Sequence, residues 1–243
     1  MPNWESAQEL RASAAETTSA AGAAVDLGAR DRLLRQTLAV SAASGATPTL
    51  DVRLEASADG LTGWRTIGTF ARATAAAVEK LSFIAPERYV RVAWTIGGAT
   101  PSFTFAVGGT KGLVYASLED LDAYGMPGAA LAKLAPSKRA EAIAAASTKA
   151  EGKLALRYDL PLVTWGVDLT EAVSKIASYD LLSVRGFNPD GSDENVRTRH
   201  NDAWKWLTEV ADGKCEPIGV VDTSPEVEDD GVVVVTHAPR GWR

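Results

Sequence analysis

The stretch PSKRAEAIAAASTKAEGKLALRYDLP at residues 136–161 organises the second half of the chain. One stripe at helical spacing contains Ile143, Ser147, Ala150, Leu154 and Tyr158. Alanines in the middle of the stripe let another helix approach closely, so we expect this helix to be packed on its neighbours. Pro136 suits the first helical turn, and Pro161 disfavours the helical conformation at Leu160. The stretch therefore predicts a central helix followed by an extended exit at 157–162.

The composition indicates a globular protein of ordinary type. The chain has 243 residues, of which 46% are hydrophobic and 23% charged, and we expect two domains. No apolar run approaches the length of about 20 residues that spans a bilayer, and the start lacks the pattern of a secretory signal. We therefore expect synthesis in the cytosol, no membrane contact and no disulfide at Cys215. One Cys and two His do not supply a usual structural zinc site, and no cofactor is predicted.

The charge is distributed unevenly between the two halves. Residues 1–114 carry 11 Lys and Arg against 10 Asp and Glu, whereas residues 115–243 carry 14 against 21. Tight binding of nucleic acid phosphates needs clustered Lys and Arg. The second half is therefore not expected to bind DNA through its bulk charge, although DNA can pass beside it.

The first part of the chain alternates apolar and polar residues with a period of two. This pattern predicts an antiparallel β-sandwich or jelly roll over residues 1–112. We place its strands near residues 32–42, 48–57, 64–71, 77–84, 88–97 and 102–107. Turns are predicted between them, among others at 44–48 and 97–101, where glycine and proline lie close together. Residues 11–28 fit a flexible lead or a weak edge strand equally well, and the glycine-rich residues 108–112 are predicted to be the linker.

The second part, residues 113–215, changes to a helical period and is predicted to be a compact four-helix bundle. Ser117 with Asp120 forms a capping pair before a short helix that ends at Gly125, and a short turn precedes the central helix. A third helix is predicted to start with Asp168 as N-cap, and a fourth to run from about 192–194 to Gly213. The residues expected to pack at the centre of the bundle are Ile143, Leu154, Tyr158, Leu160, Trp204 and Leu207.

Residues 216–243 are predicted to form an extended C-terminal tail. An acidic stretch at 225–230 precedes an apolar, β-prone run, and such a run is typical of a strand that adds to the sheet of another chain. The alternative is a strand that folds back on the N-terminal sheet of its own chain. The residues predicted to contact another chain are Val232, Val233, Val234, Val235, Trp242 and Arg243.

Candidate binding and catalytic residues are few. Trp64 and Trp94 have two interpretations, as platforms for sugar rings or as packing residues; we favour a core position for Trp94 and a turn position for Trp64. Asp59 before Gly60 predicts a turn rather than a calcium loop.

The titratable side chains do not suggest catalysis. His200 is predicted on the inner face of a helix, His237 is the only other histidine, and Cys215 just past a helix end is a poor nucleophile. The carboxylates at 226–230 are typical of a solvated charge run. We therefore predict that the protein is not an enzyme.

The second half resembles a phage protein family. The order YASLEDLDAYG, an alanine-rich helix ending RYDLPL, SYDLL and VRTRHNDAWKWLTEVADGK over about residues 114–215 resembles the Mu-like prophage gp36 proteins. That family is similar to the head-tail connectors, or neck adaptors, of long-tailed phages. The N-terminal β-domain is an addition to the simpler family members.

The resemblance implies a structural protein of the virion neck, at the head-tail interface, that is made in the host cytoplasm. By resemblance, the chain is expected to form a ring of about twelve copies below the portal protein, around the DNA channel. Expected partners are other copies and the portal, which the resemblance assigns to the tail residues named above, a downstream stopper or tail protein and, through the β-domain, the capsid; DNA passes without specific binding. The alternative hypothesis is a carbohydrate-binding β-sandwich module, with Trp64 as its platform, fused to a helical interaction domain.

Overall fold

The protein has mixed α+β architecture, with an antiparallel sheet region followed by a helical region. The structure is a computed structural model, and it describes residues 6–126, 128–185 and 194–223. The strands are β1 Ser6–Glu16, β2 Ala20–Ala21, β3 Val25–Asp26, β4 Arg32–Ser57, β5 Arg65–Thr69, β6 Ala77–Ala85 and β7 Tyr89–Leu113.

Two very long strands, β4 and β7, pair with each other along almost their whole length and form the centre of the sheet. The first half of β4 also pairs with β6, and its second half pairs with β5. Strand β7 pairs with β1 through its second half and with the two-residue strands β2 and β3 through its first half. All of these pairs are antiparallel, as the sequence predicts.

Side chains from both halves of the long strands share one apolar cluster. Leu34 and Leu38 from the first half of β4 belong to the same cluster as Val52 and Leu54 from its second half. Trp94 joins this cluster and packs edge to face on Phe105, with ring centroids 5.6 Å apart. The core position predicted for Trp94 is therefore confirmed.

The predicted strands are confirmed in position, but the predicted turns at 44–48 and 97–101 are wrong. Both segments lie inside continuous strands, where Ala46 is paired with Ala99 and the register shifts on each side. The two segments carry the same sequence, Gly-Ala-Thr-Pro, and their glycines have φ angles of 110° at Gly45 and 114° at Gly98. Each glycine faces the backbone of the other copy, since a Cβ on Gly45 would lie 2.7 Å from the carbonyl oxygen of Thr100. The paired copies therefore change the register without ending either strand.

The predicted linker at residues 108–112 is also wrong, because these residues lie within β7. Gly109 is paired with Gln36 of β4 on one side and with Gln8 of β1 on the other. A Cβ at Gly109 would overlap the carbonyl oxygen of Arg35. The glycines here permit close strand approach, whereas the sequence alone suggests flexibility.

Of the two interpretations of residues 11–28, the edge strand is correct for most of the range. Residues 11–16 belong to the edge strand β1, and 20–21 and 25–26 make short pairings with β7. The weak alternation of β1 explains why its sequence does not identify it.

Four residues separate the end of β7 from the start of the helical region. Its helices are α1 Leu118–Asp120, α2 Gly128–Leu131, α3 Pro136–Leu154, α4 Val167–Arg185 and α5 Glu194–Ala211, and a π-helical turn spans Leu121–Gly125. Ser117 caps α1 through a reciprocal pair of hydrogen bonds with Asp120, as predicted. Pro136 is in the first turn of α3, also as predicted.

The α3 helix lies at the centre of the helical region. It contacts α1, α4 and α5, and it also contacts strand β6. Its buried residues are small in the middle, and they are Ala140, Ile143, Ala144, Ala146, Ser147, Ala150, Glu151 and Leu154. Small side chains allow this close contact between backbones.

One predicted helix start differs from the structure. The α4 helix begins at Val167, so Asp168 lies in its first turn and is not the N-cap. One carboxylate oxygen of Asp168 accepts from the amide of Leu169, and the other accepts from the amide of Ile218 at 2.7 Å. Its role is to connect the helix to the segment that follows α5.

Candidate assembly interface

The sheet is joined to the helical region through α3. Arg35 on β4 makes a two-pronged ion pair with Glu141 on α3, with 2.9 Å between Nε and Oε1. Ser82 on β6 donates to the same carboxylate, and its amide donates to Ser137 at 2.9 Å. Burial raises the pKa of Glu141, but hydrogen bonds from Arg35 and Ser82 outweigh burial and hold it below its usual value. The two regions therefore have a specific polar contact.

Apolar residues extend this contact. Leu33, Ile84 and Leu113 of the sheet belong to the same buried cluster as Ile143 and Leu154 of α3. This shared cluster means that the sheet and helices bury surface against each other.

A buried acid lies inside the helical region. Glu151 on α3 is 3% exposed and accepts a hydrogen bond from the hydroxyl of Tyr115 at 3.1 Å. Tyr115 is itself fully buried, packs edge to face on Trp165, and donates its amide to Ser147 at 3.2 Å. Burial raises the pKa of Glu151 to about 7, although the Tyr115 hydrogen bond acts in the opposite direction. Both residues therefore lie in the packed core of the helical region.

Residues 215–223, here called the docked segment, lie against the exit of α3. The amide of Val163 donates to the carbonyl of Val221 at 2.7 Å, and Thr164 and Val221 form an antiparallel bridge. Arg157 pairs with Glu216 at 2.6 Å and donates to the carbonyl of Cys215. The first eight residues of the predicted tail therefore contact their own subunit.

Close backbone approach is required where the docked segment passes α4. A Cβ added to Gly166 would overlap the carbonyl oxygen of Ile218. On the other side, the hydroxyl of Thr164 donates to the carbonyl of Gly219 at 2.9 Å. Glycine at 166 thus allows the segment to lie flat against the exit of α3.

Exposed apolar side chains concentrate on the docked segment and on the exit of α3 against which it lies. Among the described residues, eight large apolar side chains are exposed, and five of them lie in residues 156–167 and 218–221. Four of these form what we call the apolar patch: Val163 (59% exposed), Val167 (54%), Ile218 (70%) and Val221 (55%), which the pairing of residues 163–164 with Val221 and the close approach of Gly166 to Ile218 bring together. The fifth, Leu156 (72%), lies just past the end of α3. A concentration of exposed apolar residues on hydrogen-bonded segments is typical of a surface that contacts another protein.

The residues predicted at the centre of the bundle are placed as follows. Ile143, Leu154 and Leu207 are fully buried, and Tyr158 and Leu160 are partly buried against the same cluster. The inward position expected for Trp204 is wrong: its side chain is 36% exposed and has the Lys153 ammonium 5.4 Å from its ring centroid. Trp206 packs on the cluster instead.

The residues predicted to contact a portal or neighbour lie outside the described residues. They are Val232, Val233, Val234, Val235, Trp242 and Arg243, and His237 lies there too. The apolar patch is therefore the described surface nearest in sequence to them. Sequence reasoning missed the patch, because Val163, Ile218 and Val221 have no periodic pattern.

Other candidate residues have structural partners. Trp64 donates its indole N–H to the carbonyl of Leu61, and the Arg91 guanidinium lies 4.2 Å from its ring centroid. Its predicted turn position is confirmed, and one ring face is occupied. Asp59 accepts from the amides of Leu61 and Thr62, which hold its pKa below the usual range, so the predicted turn is confirmed.

The histidine and cysteine also lie in ordinary packing. His200 is partly buried and stacks on Tyr179, with ring centroids 4.3 Å apart. Cys215 is a free thiol. Over residues 6–126, 128–185 and 194–223, no three His, Cys, Asp or Glu side chains group as metal ligands would. Within the same residues, no helix has the length and apolar character needed to cross a bilayer.

The geometry defines an α+β protein whose most distinctive described surface is the apolar patch. A family model described as "Bacteriophage Mu, Gp36" matches residues 115–237, which is half of the chain. The chain belongs to this phage protein family. The match covers the helical region, the docked segment and most of the residues after it, and it leaves the sheet region outside.

Comparisons with other proteins add little for the sheet. The crystal structure of PirA is matched at 11% identity and a TM-score of 0.26, over 45% of this chain and 95% of that one. A Clostridium thermocellum endo-1,4-β-D-xylanase 10B structure, containing CBM22-1 and GH10 modules with xylohexaose, is matched at 12% identity and a TM-score of 0.27. That match covers 49% of this chain and 29% of the other. Both TM-scores are too low to support an argument, and the comparison with curated proteins gives no match.

Proposed function

We propose that the protein is a structural component of a tailed phage virion, a head-tail connector that forms a ring below the portal. The observation that carries this proposal is the apolar patch on the part of the chain that belongs to the phage Mu Gp36 family. A ring needs a repeated contact between unlike surfaces of adjacent subunits. The patch supplies one such surface, and the residues after 223 supply a second segment for the neighbour or the portal.

The helical region serves as the ring-forming body in this proposal. Helices α3, α4 and α5, together with the short α1 segment and the π-helical turn, act as the four-rod bundle. Residues 115–215 carry 12 Lys and Arg against 15 Asp and Glu. A wall with this excess of acid does not hold DNA phosphates, so DNA passes through the ring without specific binding.

The sheet region serves as an outward module. We propose that its two halves face each other as a β-sandwich, since Leu34 and Leu38 share an apolar cluster with Val52 and Leu54. The ion pair of Arg35 with Glu141 joins this module to α3. Neither residue belongs to the apolar patch, so the patch stays available for another subunit. Its partners are the capsid or other neck proteins, while the helical region contacts the portal and the downstream stopper or tail protein.

The test uses variants that change the patch and leave the core intact. Ile218→Asp combined with Val221→Asp places charge on the patch, where both side chains are exposed, so the purified protein is expected to keep its melting temperature. In phage assembly it should be absent from particles, which then lack attached tails. Leu61→Asp is the matched control, because Leu61 is 81% exposed on the sheet region.

The control protein should be incorporated at normal copy number, as counted by quantitative mass spectrometry of purified particles. Normal incorporation of the folded double variant would refute the role of the patch. Incorporation of wild-type protein at one or two copies per particle would refute the ring.

A further inference from the structure

A recess lies where the sheet meets the exit of α3. Its volume is about 230 Å³. It is lined by residues of β1, the loop after β3, β4, β7 and the segment after α3, namely Ser6, Leu27, Arg32, Lys111, Gly112, Leu113 and Pro161. The apolar part of this lining comes from Leu27, Leu113 and Pro161, and its charged part is entirely cationic.

The two cations of the recess have few partners. The backbone of Arg32 is paired within the sheet, but its side chain makes no hydrogen bond or ion pair with residues 6–126, 128–185 or 194–223, although the residue is partly buried. Its neighbour Asp31 pairs with Arg30 instead, at 3.1 Å. Lys111 donates one hydrogen bond, to the carbonyl of Leu27 at 3.3 Å.

The partial burial of Arg32 favours binding of an anion beside it. Loss of water around the guanidinium lowers the pKa of Arg32, while the charge of Asp31 acts in the opposite direction. An arginine stays charged in proteins, so this desolvation is a cost to folding that a carboxylate partner offsets. The recess is therefore complementary to an acidic, extended peptide.

The chain itself supplies such a peptide next to the recess. Thr223 donates its amide and its hydroxyl to the carbonyl of Asp159, each at 3.4 Å, and Asp159 is two residues before Pro161 of the recess wall. The sequence 225–230 is PEVEDD, with four carboxylates. Three residues of extended chain span about 10 Å, so the first of these carboxylates, on Glu226, is within reach of the recess.

We propose that the acidic stretch 225–230 binds in this recess of its own subunit, with carboxylates paired to Arg32 and Lys111. This contact extends the docked segment by the acidic stretch and anchors the tail at the junction of the two regions. Only residues 231–243, which contain the β-prone run, are then left to reach another protein. The proposal concerns the isolated subunit and does not depend on the ring.

Zero-length carbodiimide cross-linking of the full chain tests this pairing. The reagent joins an amine to a carboxylate when the two are in contact, so it should link Lys111 to a carboxylate in 226–230. Peptide mass spectrometry identifies the link. A mixture of ¹⁵N-labelled and unlabelled protein should give links only within one isotopic form, and 1 M salt, which leaves a Debye length of about 3 Å, should suppress them.

Arg32→Gln removes the second cation and should lower the yield of the link by about fivefold, as expected for the loss of one ion pair worth about 1 kcal/mol. Arg30→Gln is the matched control, because the Arg30 side chain is 74% exposed and outside the recess. The proposal is overturned if wild-type protein gives no link, if both variants link equally, or if the links join differently labelled chains. Cross-linking of the wild-type protein still tests the proposal if Arg32→Gln fails to fold.

Discussion

The substitution Glu151→Gln is expected to stabilise the protein at neutral pH. Burial raises the pKa of Glu151 from 4.5 to about 7, so ionising this side chain costs more in the folded protein than in the unfolded chain. The protonated side chain carries no such cost, so the contribution of Glu151 to folding stability is complete below pH 4.5. This contribution is lost as the pH rises through the folded-state pKa of about 7. The full shift corresponds to about 3 kcal/mol at pH 7 and above, at 1.36 kcal/mol per unit. Glutamine removes this cost while keeping the volume and an acceptor for Tyr115.

Urea unfolding of the full chain between pH 4.5 and pH 8 measures this difference. At pH 7 to 8 the variant should be more stable than wild type by up to about 3 kcal/mol, and at pH 4.5 the gain should fall below about 0.5 kcal/mol. Glu119→Gln is the control, since its side chain is 81% exposed, and it should give no pH-dependent difference. A Glu151→Gln effect that stays constant across this pH range, or a loss of stability at pH 8, would show that the acid is not buried as described.

Three glycine substitutions test the backbone. Gly98→Ala should lower stability by about 1–3 kcal/mol in thermal unfolding, because the new Cβ would lie 2.8 Å from the carbonyl oxygen of Thr47 at a positive φ angle; an unchanged stability would contradict the paired Gly-Ala-Thr-Pro geometry. Gly152→Ala should raise stability by about 0.5–1 kcal/mol, since it lies in α3 with no atom near its added Cβ, and a loss would contradict the helix. Gly166→Ala should displace Ile218 and speed hydrogen exchange of the docked segment, with the remaining helices unaffected; unchanged exchange there would contradict the docking.

Local patterns in the sequence identify most elements of this fold. The period of two locates the inner strands, and the stripe from Ile143 with Pro136 locates α3. These features arise because one face of each segment packs on the core. The pattern of apolar and polar residues within the segment therefore predicts them.

Features that depend on a distant partner were not predictable. The glycines at 45 and 98 suggest turns in isolation, and only their pairing across β4 and β7 keeps both strands continuous. Gly109 suggests a linker until the backbone of Arg35 is placed against it. In each case glycine is present because it lacks a Cβ, which lets the backbone of the paired strand approach closely. The same property suggests a flexible turn or linker when the sequence is considered alone.

The candidate site follows the same division. Helical spacing placed Leu207 inside correctly, but it also placed Trp204 inside, where the structure has Trp206 against the core. A spacing rule fixes a face only to within about one residue of rotation when large side chains flank it on both sides. Exposure of Ile218 and Val221 is a property of the finished fold, and nothing in the local sequence distinguishes them from core residues.

The most direct test of the connector proposal is electron cryo-microscopy of intact particles at a resolution that shows helices. The account predicts a ring of this chain between the portal and the tail, with the apolar patch covered by an adjacent subunit or the portal and the sheet region on the outside. Density for this chain at another site, such as the capsid surface or a tail fibre, or a ring in which the patch faces solvent, would contradict it.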